Sequence, residues 1–499
     1  MAIISGGTAT NSLIPAFNNI SNICKISFVL PVSDNGGSSA EILRVFGGPA
    51  IGDLRSRITK LASLQDKKSS QANHEDISFG SFFNHRISTI KSEADNEWRM
   101  ILSGTHQICG LLINAKFRNY VLFLLIYLNK QLIDLHKDFN FQNASIGNLF
   151  MLSLRLLYGF DLYQCADFFV RFVGINRKFT VIPSINSKDQ RYNIAALLDN
   201  GDIIRGQSQI SHPSTSTSKP KLTQLSVPSD IDLSTIDLNE PQLIFQKDHS
   251  EPLISPINRI YYIEDKYHEY QPKLFDQAQK ILEEADVIIY SIGSLFTSII
   301  PVLVLRGTGE AMAVNCFIDS IQRKKKIFLL NGNSDRETGG FNSLDFIGKT
   351  INSLLYSLKM KSELDLPSPP IMRENYEFVI NLLVSHGIDP VGISVSLLSS
   401  LLNLILLKNQ FFHQSKDLPP LSFSDFITHI FVLDQTDIEV NTMVIERILG
   451  IKCVIIRATV EEEKNVNDSL FVNTPTRKVI HYKYDLDDFQ TKLEMIMNS

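Results

Sequence analysis

The chain has 499 residues, of which 44% are apolar and 20% charged, and its 48 Lys and Arg stand against 53 Asp and Glu. This composition places the chain among ordinary globular proteins with a large core rather than disordered or membrane ones, and its slightly acidic balance offers no basic footprint for nucleic acid. Five scattered cysteines, Cys24, Cys109, Cys165, Cys316 and Cys453, form no CxxC pair and have no histidine at zinc spacing, so a reducing, cytoplasmic compartment is expected.

In chain order, Ala2–Ser5 reads as a short strand and GGTATNSL as the turn after it. Leu13, Ile14, Phe17 and Ile20 then mark one apolar helix face, with Ser12 as N-cap and Pro15 in the first turn. Met1–Ile4 runs straight into the glycines with no basic and apolar leader pattern. Lys25–Val32 reads as a second strand, ending in VSDNGGSSAEILR, and GDLRSRITKLA as a helix start at Asp53. Residues 67–97 are polar and read as a flexible insertion. NYVLFLLIYLN has nine apolar residues where a membrane span needs about 20, so it reads as a buried helix. Asn200-Gly201 in IAALLDNGDIIRGQSQI is a hairpin signal, and 207–255, with STSTSKPK, reads as a second flexible insertion. Val287–Ser291, Lys326–Leu330, His429–Leu433 and Cys453–Ala458 complete the candidate strands.

Most of these strands are continuous apolar runs alternating with helical patterns, the mark of a mainly parallel sheet covered on both faces. Length alone allows about three domains. The pattern reads as one Rossmann-like α/β domain over 1–499, with an antiparallel hairpin and the two polar insertions.

The chemistry concentrates in the turns. Gly6 and Gly7 lie between strand and helix, where backbone amides accept an anion such as phosphate; the bland alternative is a tight connection. Asp34, Asn35, Gly36, Gly37, Ser38 and Ser39 occupy the carboxyl end of the second strand, where open α/β sheets bind ligands. Asp34 is either a ligand to a sugar, base or Mg2+, or a cap. Asp53 stands at a helix start, followed by Arg55 and Arg57, which suit a phosphate better than a positive helix end. Gly293, Ser294, Thr297 and Ser298 form a third turn of the same style. The histidines, His85 among them, offer little.

Taken together, GGTATNSL, VSDNGGSSAEILR, GDLRSRI, ASIGNLFM, IGSLFTSIIPVL and VIHYKYDLDDF resemble the family that joins the 2-phospho-L-lactate transferases (CofD) with the YvcK-type gluconeogenesis factors. The YvcK branch is closer, and the long insertions suggest a eukaryotic member. The resemblance implies a crevice for a nucleotide or nucleotide sugar. By correspondence it places Gly6, Gly7 and Thr8, the Asp34–Ser39 loop, Asp53, Asn148, and Gly293, Ser294, Thr297 and Ser298 at the ligand, with Asp34 and Asp53 as candidate Mg2+ ligands. Ala9 and Ile292 depart from the family pattern, as does LLNGNSDRETGGF.

The resemblance leaves three functions open. One is transfer of a phospholactyl-type group from a nucleoside diphosphate carrier to a deazaflavin, with Mg2+, as the resemblance to CofD implies; another is a non-enzymatic, ligand-sensing regulator of carbon metabolism. The third, an NAD(P)-dependent dehydrogenase, lacks the G-x-G-x-x-G spacing. In each the partner is a phosphorylated or nucleotide small molecule, with no nucleic acid or membrane expected and a homo-oligomer left open.

Overall fold

The computed structural model describes residues 1–69, 78–112, 114–211, 253–264, 268–314, 324–358, 373–411, 421–463 and 479–499. Its strands are β1 (Ala2–Ile4), β2 (Ile26–Leu30), β3 (Phe179–Pro183), β4 (Asn193–Leu198), β5 (Ile203–Arg205), β6 (Ile257–Ile263), β7 (Glu269–Tyr270), β8 (Val287–Tyr290), β9 (Lys325–Leu329), β10 (His429–Leu433), β11 (Lys452–Ile456), β12 (Ala458–Glu463) and β13 (Val479–Tyr484). Seven of them make one sheet in the order β11-β10-β9-β8-β1-β2-β3. Every neighbouring pair in it is parallel. All six expected strands are in this sheet. The seventh, FTVIP, follows Arg177 and Lys178 and ends in proline, which hid it in the sequence.

Parallel strands need both faces covered, because each crossover lays a helix on the sheet. Ile3, Ile4, Phe28, Val29, Ile288, Ile289, Ile327 and Ile430 are accordingly withdrawn from solvent. From β1 the chain steps outward to β2 and β3, then returns to β8 on the other side of β1 and continues outward to β11. The order therefore reverses beside β1, and the loops after β8, β1 and β2 open onto the crevice created there.

The helices that shape this edge are α1 (Ile14–Ile20), α2 (Gly37–Phe46), α3 (Gly52–Ser69), α4 (Phe79–Asn84), α5 (Lys91–Leu102), α6 (Ala115–Asp134), α7 (Ile146–Tyr158), α8 (Leu162–Phe172) and α9 (Gln207–Ser211). The apolar face expected on α1 is buried, but Ser12 does not cap it. A 3-10 turn, Ala9–Ser12, comes first, and Leu13 holds the cap position without a side-chain bond. The hairpin signal is realised in β4 and β5, where Leu198 N donates to Asp202 O (2.8 Å) and Gly201 N to Leu198 O (3.0 Å). Asn200-Gly201 therefore lies in the loop that closes this hairpin. This hairpin belongs to a separate antiparallel sheet, β5-β4-β6-β7.

Two expected insertions are corrected in part. Within 67–97, residues 78–97 carry α4 and most of α5, and Phe82, Phe83, Ile87 and Ala94 are core residues. The polar letters mask a few large aromatics, which decide the outcome because each buries far more area than a serine exposes. Within 207–255, residues 207–211 form α9, with Ser208, Ile210 and Ser211 buried; 70–77 and 212–252 lie outside the described residues. The helix read as buried, α6, is instead amphipathic: Val121, Leu124, Leu125 and Leu128 face inward while Phe123 and Ile126 are half exposed. Among the described residues no helix is long and apolar enough to cross a membrane.

Phe83 lies 4.8 Å from Phe150 and 4.7 Å from Phe169, ring centre to ring centre, at the middle of an aromatic cluster joining α4, α7 and α8. Phe83→Ala is expected to destabilise the protein by about 3–5 kcal/mol in urea denaturation. A loss under about 1 kcal/mol would return this segment to the loop class.

Candidate functional site

The crevice begins with one helix face. Asp53, Ser56 and Arg57 stand at i, i+3 and i+4 on α3 and so point the same way. All three engage the turn after β1: the Asp53 carboxylate takes the Gly7 amide, Ser56 Oγ donates to Gly7 O (2.8 Å) and Arg57 Nη2 to Gly6 O (2.8 Å). Arg57 Nη1 also donates to Asn11 Oδ1 (2.7 Å), and its guanidinium lies 4.7 Å from the centre of the Phe28 ring. The side chain is fully buried. Arg57, expected to face a phosphate, thus sits beneath the glycine turn and holds it.

The glycines follow from this closeness. A Cβ on Gly7 would lie 2.7 Å from the Asp53 Cα, so no other residue lets α3 approach β1 this far. Gly52, which the sequence reading missed, plays the same part on the other side: a Cβ there would meet Ser39 Oγ at 2.6 Å and the Asp34 carboxylate. Asp34 is organised locally, its Oδ1 accepting from Gly36 N (3.1 Å) and its Oδ2 from Ser39 Oγ (2.8 Å). This orders the loop before α2 in the manner of an Asx turn. Asp34 is therefore not a helix cap: Gly36 holds the cap position of α2 without a side-chain bond, and Asp34 orders the turn before it.

Asp34 and Asp53 face each other across Gly52, and their charges interact. Burial raises the Asp53 carboxyl first and the Asp34 charge second, to about 7. Burial likewise raises Asp34, against the hydrogen bonds from Gly36 and Ser39 and the charges of Arg55 and Arg86. Burial pulls Arg55 down to about 10 and Arg57 down to about 9, leaving both cationic at neutral pH. Two carboxyls with raised pKa values beside three guanidiniums leave the region cationic below neutrality.

Arg55 points away from Arg57. Its Nε donates to Asn148 Oδ1 (3.1 Å) and its Nη1 to Asn84 Oδ1 (3.2 Å), while Asn148 Nδ2 donates to Ser38 Oγ (2.7 Å). Asn148, assigned only through the resemblance, therefore ties the start of α7 to α2 and α3. Asn35 Oδ1 accepts from Ser208 N (2.8 Å), which docks α9 onto the acidic loop. Thr8 is exposed at the mouth, and no acceptor for the Gly6 or Thr8 amide occurs among the described residues.

The third turn joins from β8. Gly293 exchanges bonds with the Asn331 amide, N to Oδ1 at 3.1 Å and Nδ2 to O at 2.9 Å. Ser294 precedes a π-helical turn, Leu295–Ile299, and Ser298 packs against Gly6. Thr10 Oγ1 bonds Ser291 Oγ (2.9 Å), closing β1's turn onto that of β8. Thr297 is spent elsewhere: its hydroxyl donates to Glu337 Oε1 (2.7 Å), which also receives Ser211 Oγ (2.5 Å). Glu337, raised to about 7 by burial and Asp335, was not found in the sequence, because nothing in SDRETGG distinguishes a buried glutamate from a loop charge. Gly6–Thr8, Asp34–Ser39, Asp53 and Gly293–Ser298 thus share one edge, with Arg57 and Thr297 behind it.

The raised Asp53 makes stability depend on pH. The unfolded chain releases this proton near the ordinary carboxylate value, about 3.9, whereas the folded protein keeps it to about 7. Stability therefore falls as pH rises through that window and levels above it. Glu337 titrates in the same window, so a difference is required: Asp53→Asn should flatten the decline in Tm between pH 5 and 8 by a few degrees relative to the parent, measured without divalent cations. Parallel Tm profiles would show that Asp53 is not held neutral.

Comparison with known proteins adds three likenesses. A Saccharomyces cerevisiae protein, "Uncharacterized protein YNL011C", is 35% identical over 387 residues, 71% of this chain and 82% of that protein. A Thermotoga maritima protein named "Putative gluconeogenesis factor" is 31% identical over 87 residues, 17% of this chain and 27% of that protein. The crystal structure of a UPF0052 family member from Bacillus halodurans superimposes with a TM-score of 0.50 at 14% identity, covering 98% of both chains, which speaks to the fold alone. The model for 2-phospho-L-lactate transferase CofD matches residues 1–355, the span that contains every crevice residue above, and the chain belongs to the CofD family.

Proposed function

We propose that the crevice between the ends of β8, β1 and β2 binds a nucleoside diphosphate or nucleotide sugar. The observation that carries this reading is the pair Asp34 and Asp53, two carboxyls forced together behind three guanidiniums at a topological switch point. A fold does not keep such a pair for stability, since each raises the other's cost of ionisation. A divalent cation or a polyphosphate with its cation removes that cost.

Carboxylate oxygens are the hard ligands that Mg2+ takes, usually together with substrate phosphates and water. Asp34 and Asp53 fit that role, because each bonds inward through one or two contacts and an ionised carboxylate accepts about four. The ion would supply neutralisation of the diphosphate charge. The chain's own part is to offer the Gly6 and Thr8 amides and the start of α2 to phosphate oxygens, and to hold Arg55 and Arg86 as the charged wall. Ser294 and Ser298 offer hydroxyls from the opposite side.

Asp53 favours a second reading on the same site. A carboxyl poised near 7 is matched to accept a proton from an acceptor hydroxyl, which group transfer from a diphosphate carrier requires. The alternative is a regulator that binds the ligand without turnover; the Thermotoga maritima relative, named a putative gluconeogenesis factor, matches 87 residues of this chain.

A thermal-shift screen of nucleoside diphosphates and nucleotide sugars, with and without Mg2+, tests the binding proposal. A ligand at 100 times its Kd should stabilise the native state by about 2.7 kcal/mol. For the best ligand, Asp34→Asn and Asp53→Asn should each lose roughly ten- to hundredfold in affinity while folding stays intact. A screen with no Mg2+-dependent shift, or variants that bind like the parent, would sink the reading. Turnover of the same ligand with a deazaflavin-type acceptor, abolished in Asp53→Asn, separates transferase from regulator.

A further inference from the structure

Away from the crevice, the described residues bring together one further group of metal-ligating side chains: His85, Glu97 and His106, whose ligand atoms all lie within 4.8 Å of one another. They arrive from separate elements. His85 ends α4, Glu97 lies in α5, and His106 precedes the 3-10 turn Gln107–Leu111. Both imidazoles turn Nε2 toward the same oxygen, Glu97 Oε1, at 2.6 Å from His85 and 3.5 Å from His106.

The carboxylate is oriented from behind, since Glu97 Oε2 accepts Ser88 N at 2.8 Å. The backbone holds both histidines: His85 O accepts from Ile146 N (3.1 Å), and His106 N donates to Met100 O (3.1 Å). Side-chain exposures of 28% for His85, 16% for Glu97 and 13% for His106 leave the group sunken yet reachable from solvent.

We propose that His85, Glu97 and His106 bind a divalent transition metal, zinc foremost. Two imidazoles and one carboxylate are the donor set that zinc accepts when it keeps a fourth position for water. A hard cation such as Mg2+ prefers oxygen alone, so this site and the Asp34–Asp53 pair select different metals. The outer contact from Ser88 matches the way ligating carboxylates are held in metal sites. Binding through His106 Nε2 puts the ring proton on Nδ1, so the long contact from Ile108 N (3.4 Å) gives way to the metal bond. One consequence reaches the crevice. His85 stands between Asn84, which accepts from Arg55 and Thr59, and Arg86, whose charge acts on Asp34. A metal here would fix the position of that segment.

The test uses the full chain, stripped with a chelator and titrated with Co2+ and then Zn2+. The expected result is one equivalent of Co2+ with visible d–d bands, displaced by Zn2+. His85→Ala, His106→Ala and Glu97→Gln should each weaken binding at least tenfold, with circular dichroism confirming the fold. Because a histidine variant that fails to fold reports nothing, X-ray absorption of the zinc-loaded parent provides a second readout, expected to show two imidazoles. No Co2+ bands in the parent, bands that survive in folded histidine variants, or a zinc shell without imidazole would each overturn the site. None of these outcomes bears on nucleotide binding, which the screen above tests separately.

Discussion

The turn after β1 is held by a single face of α3. Asp53 takes the Gly7 amide, Ser56 the Gly7 carbonyl and Arg57 the Gly6 carbonyl, so a strand end and a helix start are locked at a distance that only glycine permits. Fixing that distance also fixes where α3 begins, and the start of α3 puts Gly52 against Asp34 and Asp53 beside it. The acidic loop, the arginine wall and the third turn are arranged around this clamp.

The cost of the clamp is electrostatic. Arg57 loses its water entirely and keeps its charge through Asn11, Ser5, Gly6 and the face of Phe28. Asp53, brought close to Asp34, is pushed toward neutrality. A buried charge with incomplete pairing is destabilising wherever packing alone is the goal. Its presence at the carboxyl edge of a parallel sheet is the feature on which the proposed ligand site rests.

The rest of the edge is joined by amides rather than by salt bridges. Asn148 links Ser38 to Arg55, Asn35 receives α9, and Asn331 brackets Gly293. A side-chain amide donates and accepts at once without adding charge, so these residues connect α2, α3, α7, α9 and the turns after β8 and β9 without disturbing the balance between the carboxyls and the guanidiniums. The buried Glu337 does similar work behind the third turn, where Thr297 and Ser211 meet.

Much of this was legible in the sequence because local chemistry dictates it. Short continuous apolar runs closed by turn residues read as strands covered on both faces, glycines after such runs mark sheet-edge turns, and the motifs carried the family. Those features depend on neighbours within a few residues, and so the sequence by itself determined the sheet, its six recognised strands and the turns that ring the crevice. What tertiary structure decided depends on contacts between distant residues. Packing placed Arg57 under the turn and Arg55 beside Asn148, though both occupy one short helical stretch, because residues two apart on a helix face different ways. It made core helices of 78–97, whose aromatics find Phe150 and Phe169 more than 60 residues away. It also brought His85, Glu97 and His106 together from three elements with no spacing rule to announce them. In each case the deciding energy is burial against a partner far along the chain, which no local pattern encodes.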